Sequence, residues 1–228
     1  MDYLEKNKDF WDSGCPAENP ESHVFRTYGR ILKPELGITG EKHEKLLDFA
    51  CGEGANMLFF KKKGLDVYGV EISESNLKKC REKMSDIADH FQMIDPKPSK
   101  GDMWYGGGFD VVIGNHAFYY YNDTDLEIRL ETIYNMLKPG GIIYATMMGT
   151  KMTQFYDNSK EVGDGLSVVN FKHSRFEIKD YYMNFMESEQ DLLHHFKLFK
   201  KLHLGWYADK YREDEKENFH YNFVGIKE

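Results

Sequence analysis

A glycine-containing segment near the start of the chain constrains its fold most tightly. Residues 46–56 read LLDFACGEGAN, where a short apolar run leads into a turn with two glycines and then into a stretch of helical composition. Gly52 and Gly54 allow the backbone to turn sharply and to approach a ligand closely, because neither carries a Cβ atom. Similar turns also join strands to helices where nothing binds, so the interpretation depends on the rest of the chain.

Apolar runs of strand length alternate with segments of helical composition around this turn. We predict strands at residues 45–50, 66–72, 91–94, 109–114, 142–148, 199–207 and 219–226, and helices at 55–63, 73–83, 125–137 and 181–196. Such alternation is typical of a mostly parallel sheet covered on both faces, with ligands beyond the carboxyl ends of the strands. The fold class is therefore α/β, a Rossmann-like doubly wound sheet of about seven strands with an antiparallel last strand.

The 228 residues fit a single domain of this class. We divide it into a helical N-terminal cap at 1–45, a ligand-binding core at 46–148, a polar insertion at 149–180 that carries substrate contacts or a lid, and C-terminal strands with a helix at 181–228.

An acidic residue, Glu71, ends the second predicted strand, nineteen residues after Gly52. A carboxylate at this place can accept hydrogen bonds from both ribose hydroxyls of an adenosine nucleoside. Alternatively, Glu71 only caps the helix that begins near Ser73. Because its spacing and strand context agree with the glycine turn, we expect Glu71 to contact a nucleoside.

Three segments together resemble the motifs of class I S-adenosylmethionine (SAM)-dependent methyltransferases. DFACGEG resembles the first motif, VYGVEIS the acidic second motif, and LKPGGIIYAT the turn and fifth strand that follow; the resemblance covers residues 46–148. Three motifs in the right order and spacing are more specific than any one of them. The chain has Ala50 where many members of the family have glycine.

The resemblance implies SAM as the cofactor and assigns several residues to it. Those implied to surround the methionine part are Asp48, Ala50, Gly52 and Gly54, while Glu71 holds the ribose, Ile72 packs on adenine and Asn115 lies near the amino group or sulfonium. An acidic residue after the third strand usually meets adenine; Asp95 and Asp102 are both candidates, with Asp102 and its neighbour Met103 slightly favoured.

A dinucleotide is the competing ligand for such a fold. The pyrophosphate of NAD is received by glycines in the spacing GxGxxG, whereas this chain has AxGxG followed by Ala55 and Asn56. The sequence therefore favours SAM over NAD.

The N-terminal segment carries a narrower resemblance. FWDSG followed by NPESHVFR is similar to a bacterial subgroup of small-molecule methyltransferases whose N-terminal helices close over SAM. The resemblance implies that Arg26 clamps the methionine carboxylate as a two-donor fork, with Trp11 or Tyr28 alongside. The alternative is that Arg26 is a solvated residue on a helix face.

Residues 115–123, NHAFYYYND, follow the fourth predicted strand, where donor and acceptor should meet. His116 is the candidate general base, because a neutral imidazole can take a proton from an attacking hydroxyl. Tyr119 and Tyr120 are candidate substrate-binding walls, although a run of aromatic residues more often packs in a core.

We expect the acceptor to be a hydroxyl of a small polar molecule, such as a sugar or a phosphorylated intermediate of cell-surface polysaccharide, because the bacterial resemblance favours it. Lysines that could meet a phosphate are Lys97, Lys100, Lys151 and Lys172. The alternatives are N-methylation of a small amine, a non-catalytic SAM-binding regulatory subunit, and a nucleotide-dependent oxidoreductase.

Composition excludes several other classes. The formal net charge of −8, without a basic stripe, disfavours nucleic acid as a partner. The three cysteines Cys15, Cys51 and Cys80 fit neither a disulfide framework nor a zinc motif, and the histidines are scattered, so we expect no metal and a reducing cytoplasm. No apolar run approaches membrane-spanning length, and no pattern indicates an oligomeric state.

Overall fold

A mixed sheet runs through the part of the chain that the computed structural model describes, namely residues 2–12, 19–172 and 177–228 without the side chains of residues 9–12. Its strands and those of a smaller sheet are β1 Lys45–Phe49, β2 Asp66–Glu71, β3 Phe91–Met93, β4 Phe109–Gly114, β5 Leu137–Met148, β6 Ser159–Gly163, β7 Leu166–Lys172, β8 Glu177–Asn184, β9 Lys200–Asp209 and β10 Asn218–Ile226.

Helices cover the large sheet. They are α1 Tyr3–Asp12, α2 Ser22–Thr27, α3 Ala55–Lys61, α4 Glu74–Lys83, α5 Asp123–Met136, α6 Thr153–Tyr156 and α7 Glu189–His195, and a π-helical turn, Tyr28–Leu32, extends α2. Side-chain caps start α4, α5 and α7, where Ser73, Asn122 and Ser188 each accept a backbone hydrogen bond from three residues later. None of the helices among the described residues is long and apolar enough to cross a membrane.

The strand order of the large sheet is β3-β2-β1-β4-β5-β10-β9. β1 pairs in parallel with β2 and β4, whereas β10 runs antiparallel to β5 and β9. The predicted α/β class, the seven strands and the antiparallel last strand are confirmed. The order reverses between β1 and β4, and a crevice for ligands forms beyond the carboxyl ends of the strands at such a point.

Neighbouring residues of the central strands are buried on opposite faces of the sheet. Leu47 of β1 and Val112 of β4 belong to one apolar cluster, and Leu46 and Val111 belong to the other. A parallel sheet covered on both faces needs such continuous apolar runs. This double burial fixes where the strands end, and therefore where the polar residues that follow them lie.

The prediction of a helix over residues 181–196 is wrong in its first part. β6, β7 and β8 form a separate antiparallel sheet, in which Tyr181 and Met183 of β8 pair with Val169 and Ser167 of β7. Tyr181 and Met183 are buried, as alternate residues of a half-buried strand are. The helix α7 begins only after its cap at Ser188. The insertion is thus a small sheet that extends four residues beyond its predicted end.

The N-terminal helix α1 packs on this small sheet. The side-chain amide of Asn7 donates to the carbonyl oxygen of Tyr182 at 2.8 Å, and the Tyr182 amide donates to the Asn7 oxygen at 2.9 Å. The Tyr3 hydroxyl also donates to the carboxylate of Asp125 on α5. These bonds hold α1 near the carboxyl edge of the large sheet. The division into cap, core and insertion stays a prediction.

Candidate functional site

A cavity of about 280 Å³ opens where the strand order reverses. Ligand pockets in proteins are mostly apolar, with a few convergent polar groups. The residues around it come from α1, the segment before α2, and the segments after β1, β2, β3 and β4: Leu4, Asn7, Asn19, Pro20, Glu21, Phe49, Ala50, Cys51, Gly52, Glu53, Ala55, Asn56, Glu71, Ile72, Asn76, Ile94, Pro96, Asn115, His116, Ala117, Tyr120 and Tyr121.

The glycine turn forms one wall of this cavity. Ala50, Gly52 and Gly54 have φ angles of +59°, +53° and +80°, so the backbone is left-handed at all three positions. A Cβ atom on Gly52 would meet nothing within 4 Å, whereas one on Gly54 would meet Met84 and Cys80. Gly52 therefore leaves an open space beside the cavity, and Gly54 permits close packing behind it.

Glu71 joins this turn to the end of β2. Its Oε2 accepts a hydrogen bond from the Gly52 amide at 2.9 Å, and its Oε1 accepts from the amides of Ile72 and Ser73 at 2.9 and 3.0 Å. Glu71, Gly52 and Ile72 all line the cavity. The two motifs that the sequence relates to one ligand therefore face the same space.

Asp48 lies beneath the turn and does not line the cavity. Its side chain is fully buried near Glu71 and Asn56, and burial followed by the charge of Glu71 raises the pKa of its carboxyl group well above the usual range. Asp48 is thus placed to support the glycine turn from below.

The acidic residues expected near adenine lie away from the cavity. Asp102 accepts hydrogen bonds from the Arg129 guanidinium at 3.1 Å and the Ser99 amide at 3.0 Å, and Met103 is half exposed. Asp95 is exposed and accepts from the Lys97 amide. We correct both assignments: the loop folds onto α5, which leaves Ile94 and Pro96 as its cavity-lining residues.

The residues expected to clamp the cofactor from the N-terminal segment are also displaced. Arg26 is exposed in a separate groove between α2 and β9. Tyr28 is buried edge-on against Phe59 and Phe60, so it cannot contact a substrate in the cavity. The side chain of Trp11 lies outside the described residues. Leu4, Asn7 and Glu21 line the cavity in their place.

Asn115, His116 and Tyr120 line the end of the cavity next to β4. Tyr119 lies behind them in the apolar core, with its ring 6.0 Å from that of His116. The His116 backbone is left-handed, with φ +54°, and its amide donates to the Thr146 hydroxyl at 2.8 Å. This conformation turns the ring towards β9 and β10.

His116 belongs to a cluster that the sequence did not indicate. Its Nε2 lies 2.6 Å from the Tyr207 hydroxyl, and its ring stacks on His220 at 4.5 Å between centroids. His23 stacks on Tyr207 at 4.1 Å. Burial lowers the pKa of both His23 and His116 to about 4. These imidazole rings are therefore neutral at physiological pH.

Ala50 allows a test of strain in the glycine turn. A left-handed backbone costs a residue with a Cβ atom about 1–2 kcal/mol, while glycine loses about 0.4–1 kcal/mol more chain entropy on folding. We expect Ala50→Gly to raise the free energy of unfolding by up to about 1 kcal/mol, and Tm by about 2–4 °C. Ala55→Gly is the control, because it makes the same change in the helical backbone of α3 and should lower Tm. An equal decrease of Tm in both variants would show that the backbone at Ala50 is not strained.

Comparisons with known proteins agree with this geometry. Residues 46–141, less than half of the chain, match a family model described as a methyltransferase domain. The mRNA cap guanine-N(7) methyltransferase 1 of Arabidopsis thaliana is 28% identical over 146 residues, which cover 57% of this chain and 40% of that protein. The chain spans 40–65% of the length of the curated relatives that it matches.

Solved structures resemble the whole chain. The PH0226 protein from Pyrococcus horikoshii OT3 has a TM-score of 0.65 at 20% identity, covering 96% of this chain and 99% of its own. Magnesium protoporphyrin IX methyltransferase from Synechocystis PCC 6803, with bound S-adenosylhomocysteine (SAH), has a TM-score of 0.64 at 12% identity, covering 100% of both chains. At such identities the likeness concerns the fold alone. Residues 46–141 therefore match a methyltransferase domain, within a chain whose fold is similar to those of these two solved structures.

Proposed function

We propose that this chain is a SAM-dependent methyltransferase that acts on a hydroxyl of a small polar acceptor. The observation that carries the proposal is the Glu71 carboxylate, which lies in the wall of the cavity and accepts a hydrogen bond from Gly52. A nucleoside needs a carboxylate acceptor for its ribose and apolar surface for its base, and Ile72 and Ile94 supply that surface beside Glu71. The residues present therefore fit SAM.

Separate parts of the cavity would serve the two substrates. Gly52 and Ala50 would border the methionine part, Glu71 the ribose and Ile72 the adenine. Asn115 and His116, after β4, would border the place where the acceptor enters. When bound, SAM supplies an electrophilic methyl group on a sulfonium. Leu4 of α1 lines the cavity and would help to exclude water, which would otherwise compete with the acceptor.

His116 is our candidate for the residue that serves the acceptor. His116 lines the cavity, and when its Nε2 donates to the Tyr207 hydroxyl, Nδ1 is the atom that accepts a proton from a hydroxyl of the acceptor. Burial keeps this imidazole neutral, as a general base must be. Tyr120 would form part of the acceptor wall.

The acceptor itself is proposed as a sugar or a phosphorylated cell-surface intermediate, with a small amine as the alternative. The relatives named above act on an mRNA cap and a protoporphyrin, so the family does not fix the acceptor. The lysines considered for a phosphate do not line the cavity: Lys97 pairs with Asp125 and Lys172 with Glu177, while Lys151 lies over Phe219. Absence of nucleic acid partners stays a prediction, as does a cytoplasmic location.

Calorimetric titration with SAH and with NAD tests the cofactor. We expect SAH to bind with a micromolar dissociation constant and NAD not to bind; binding of NAD alone would overturn the proposal. A methyl-transfer screen with labelled SAM against sugars, sugar phosphates and amines then identifies the acceptor. His116→Ala is the control, because loss of product with unchanged SAH binding assigns transfer to this cavity. SAH binding without any product would favour the regulatory subunit.

A further inference from the structure

Three potential metal ligands converge at the acceptor end of the cavity. Oε1 of Glu21 lies 3.5 Å from Nδ1 of His116, and Oε2 of Glu21 lies 3.8 Å from Nδ1 of His23. One ligand atom from each of the three residues lies within 4.8 Å of the other two. We propose that Glu21, His23 and His116 bind a divalent transition-metal ion. The role of this ion towards the acceptor rests on the function proposed above, whereas binding of the ion to the protein is independent of that function.

The hydrogen bonds of His23 leave a lone pair directed towards Glu21. Its Nε2 lies 2.6 Å from Oδ1 of Asn115, an oxygen that can only accept and that also lies 3.4 Å from the Thr146 hydroxyl. Nε2 of His23 therefore carries the proton in the neutral ring, and Nδ1 carries the lone pair. This places an imidazole lone pair opposite a carboxylate, an arrangement that a cation between them would stabilise.

His116 is placed in a similar way, and its Nδ1 carries the lone pair when Nε2 donates to the hydroxyl beside it. Its Nε2 lies 2.6 Å from the Tyr207 hydroxyl, and its Nδ1 faces Glu21. Histidines that bind metals usually hold their second nitrogen in a hydrogen bond of this kind, which fixes the orientation of the ring. Asn115 and Tyr207 would thus be the outer partners of the two ligands.

The separations suit a metal ion. Zinc binds imidazole nitrogen and carboxylate oxygen at about 2.0–2.2 Å, so neighbouring ligand atoms in a tetrahedral site lie about 3.4 Å apart. The Glu21–histidine separations of 3.5 and 3.8 Å, one to each carboxylate oxygen, are close to this value, and one ligand atom of each residue lies within 4.8 Å of the others. Two imidazoles with one carboxylate select Zn²⁺, Fe²⁺, Co²⁺ or Ni²⁺ over Mg²⁺ and Ca²⁺.

An independent observation concerns the buried histidine behind this group. His220 is 2% exposed, and neither of its ring nitrogens has a hydrogen-bond partner among the described residues. Its ring stacks on His116 at 4.5 Å and on Tyr207 at 5.2 Å. Buried polar atoms without partners are rare, and a bound ion or water is one explanation for them. A hydrated ion bound by His116 would bring ordered water close to His220.

The ion would face the acceptor, because Glu21 and His116 both line the cavity. Three protein ligands leave one position open in a tetrahedral site and two in a five-coordinate site, and a small acceptor with two adjacent hydroxyls could fill both. A bound ion lowers the pKa of a coordinated hydroxyl, whose proton then passes to water. Nδ1 of His116 would bind the ion in this arrangement, and no separate proton acceptor would be required. The inferred substrate class is therefore a vicinal diol.

Titration of untagged, chelator-treated protein with CoCl₂, followed by visible absorption, tests the site. We expect one equivalent to bind with the spectrum of nitrogen and oxygen ligands, and ZnCl₂ to displace it. Glu21→Gln and His23→Ala should each weaken binding at least tenfold. Glu35→Gln is the matched control, because this exposed carboxylate lies 3.0 Å from His203 outside the cavity, and it should bind as the wild type does.

Absence of stoichiometric cobalt, or equal binding in the wild type and both site variants, would overturn the metal site. A sulfur-to-cobalt charge-transfer band would also overturn it, since cysteine thiols, such as the buried Cys51 and Cys80, would then be ligands. SAH titration of the metal-free protein and of each variant checks the fold and should give unchanged affinity. If SAH does not bind, the proposed function is wrong, but the cobalt titration still decides whether the metal site exists.

Discussion

Replacing Glu71 by glutamine should raise the dissociation constant of SAH about 10- to 150-fold. Hydrogen bonds to a charged group contribute about 1.5–3 kcal/mol, and a factor of ten in affinity corresponds to 1.4 kcal/mol. Glutamine keeps the shape of Glu71 but loses the charge and turns one acceptor into a donor. That donor would face either the Gly52 amide or the amides of Ile72 and Ser73. The variant therefore loses contacts to ribose and to the turn together.

Calorimetric titration with SAH measures this effect, and thermal unfolding without ligand measures the part that belongs to the turn alone. Glu74→Gln is the matched control, because Glu74 is exposed three residues from Glu71 and pairs only with Arg81 in the hydrogen bonds described. The control should bind SAH within about twofold of the wild type. Unchanged SAH affinity in Glu71→Gln would remove the ribose assignment, whatever the effect on unfolding.

The central sheet could be predicted because its strands are buried on both faces. Residues such as Leu46, Leu47, Val111 and Val112 form continuous apolar runs, which local sequence displays directly. The position of the glycine turn and of Glu71 follows from those strands, because Gly52 comes after β1, Glu71 ends β2, and the two strands are neighbours. Local pattern and tertiary placement agree here.

The small sheet could not be predicted in the same way. Its strand β8 contains Asp180 with φ +52°, and the pairing with β7 shifts register between Val169 and Phe171. Each irregularity interrupts the alternation that identifies a strand. The alternation that includes Tyr181 and Met183 is therefore too short to identify a strand. The helical composition of the residues that follow favours a helix, which is why the predicted helix includes part of β8.

The positions of Arg26 and Tyr28 follow from the periodicity of the helix that contains them. Val24, Tyr28 and Leu32 recur every four residues, and all three are buried in one apolar cluster. This spacing assigns Tyr28 to the core and turns Arg26 to the opposite side. The apolar spacing in the sequence therefore already favours a buried Tyr28 and a solvated Arg26.

The histidine cluster carried no local signal at all. His23, His116 and His220 are separated by about a hundred residues each and come from α2, the turn after β4, and β10. Only the pairing of β10 with β5 and β9 brings His220 to the acceptor end. Sequence motifs cannot predict such a cluster, because the distances between its side chains depend on how the outer, antiparallel strands pair in the sheet.

The largest effect on stability is expected from the ion pair beneath the cavity. Arg129 of α5 is fully buried, and its guanidinium donates to the Asp102 carboxylate at 3.1 Å and to the Asp95 carbonyl oxygen at 3.2 Å. It also lies 5.4 Å from the ring centre of Phe49, which lines the cavity. Asp102→Ala would leave this buried cation without its carboxylate, which costs about 3–5 kcal/mol.

Thermal and urea unfolding should therefore show Tm lower by about 10 °C in Asp102→Ala. Adding Arg129→Met should restore at least half of the lost stability, because a buried ion pair replaced by apolar side chains is often neutral. Glu127→Ala, which breaks the exposed pair of α5 with Lys197, should cost less than about 1 kcal/mol. If the double variant were less stable than Asp102→Ala alone, the uncompensated charge would not be the cause, and the packing of Arg129 against Phe49 would account for its place in the core.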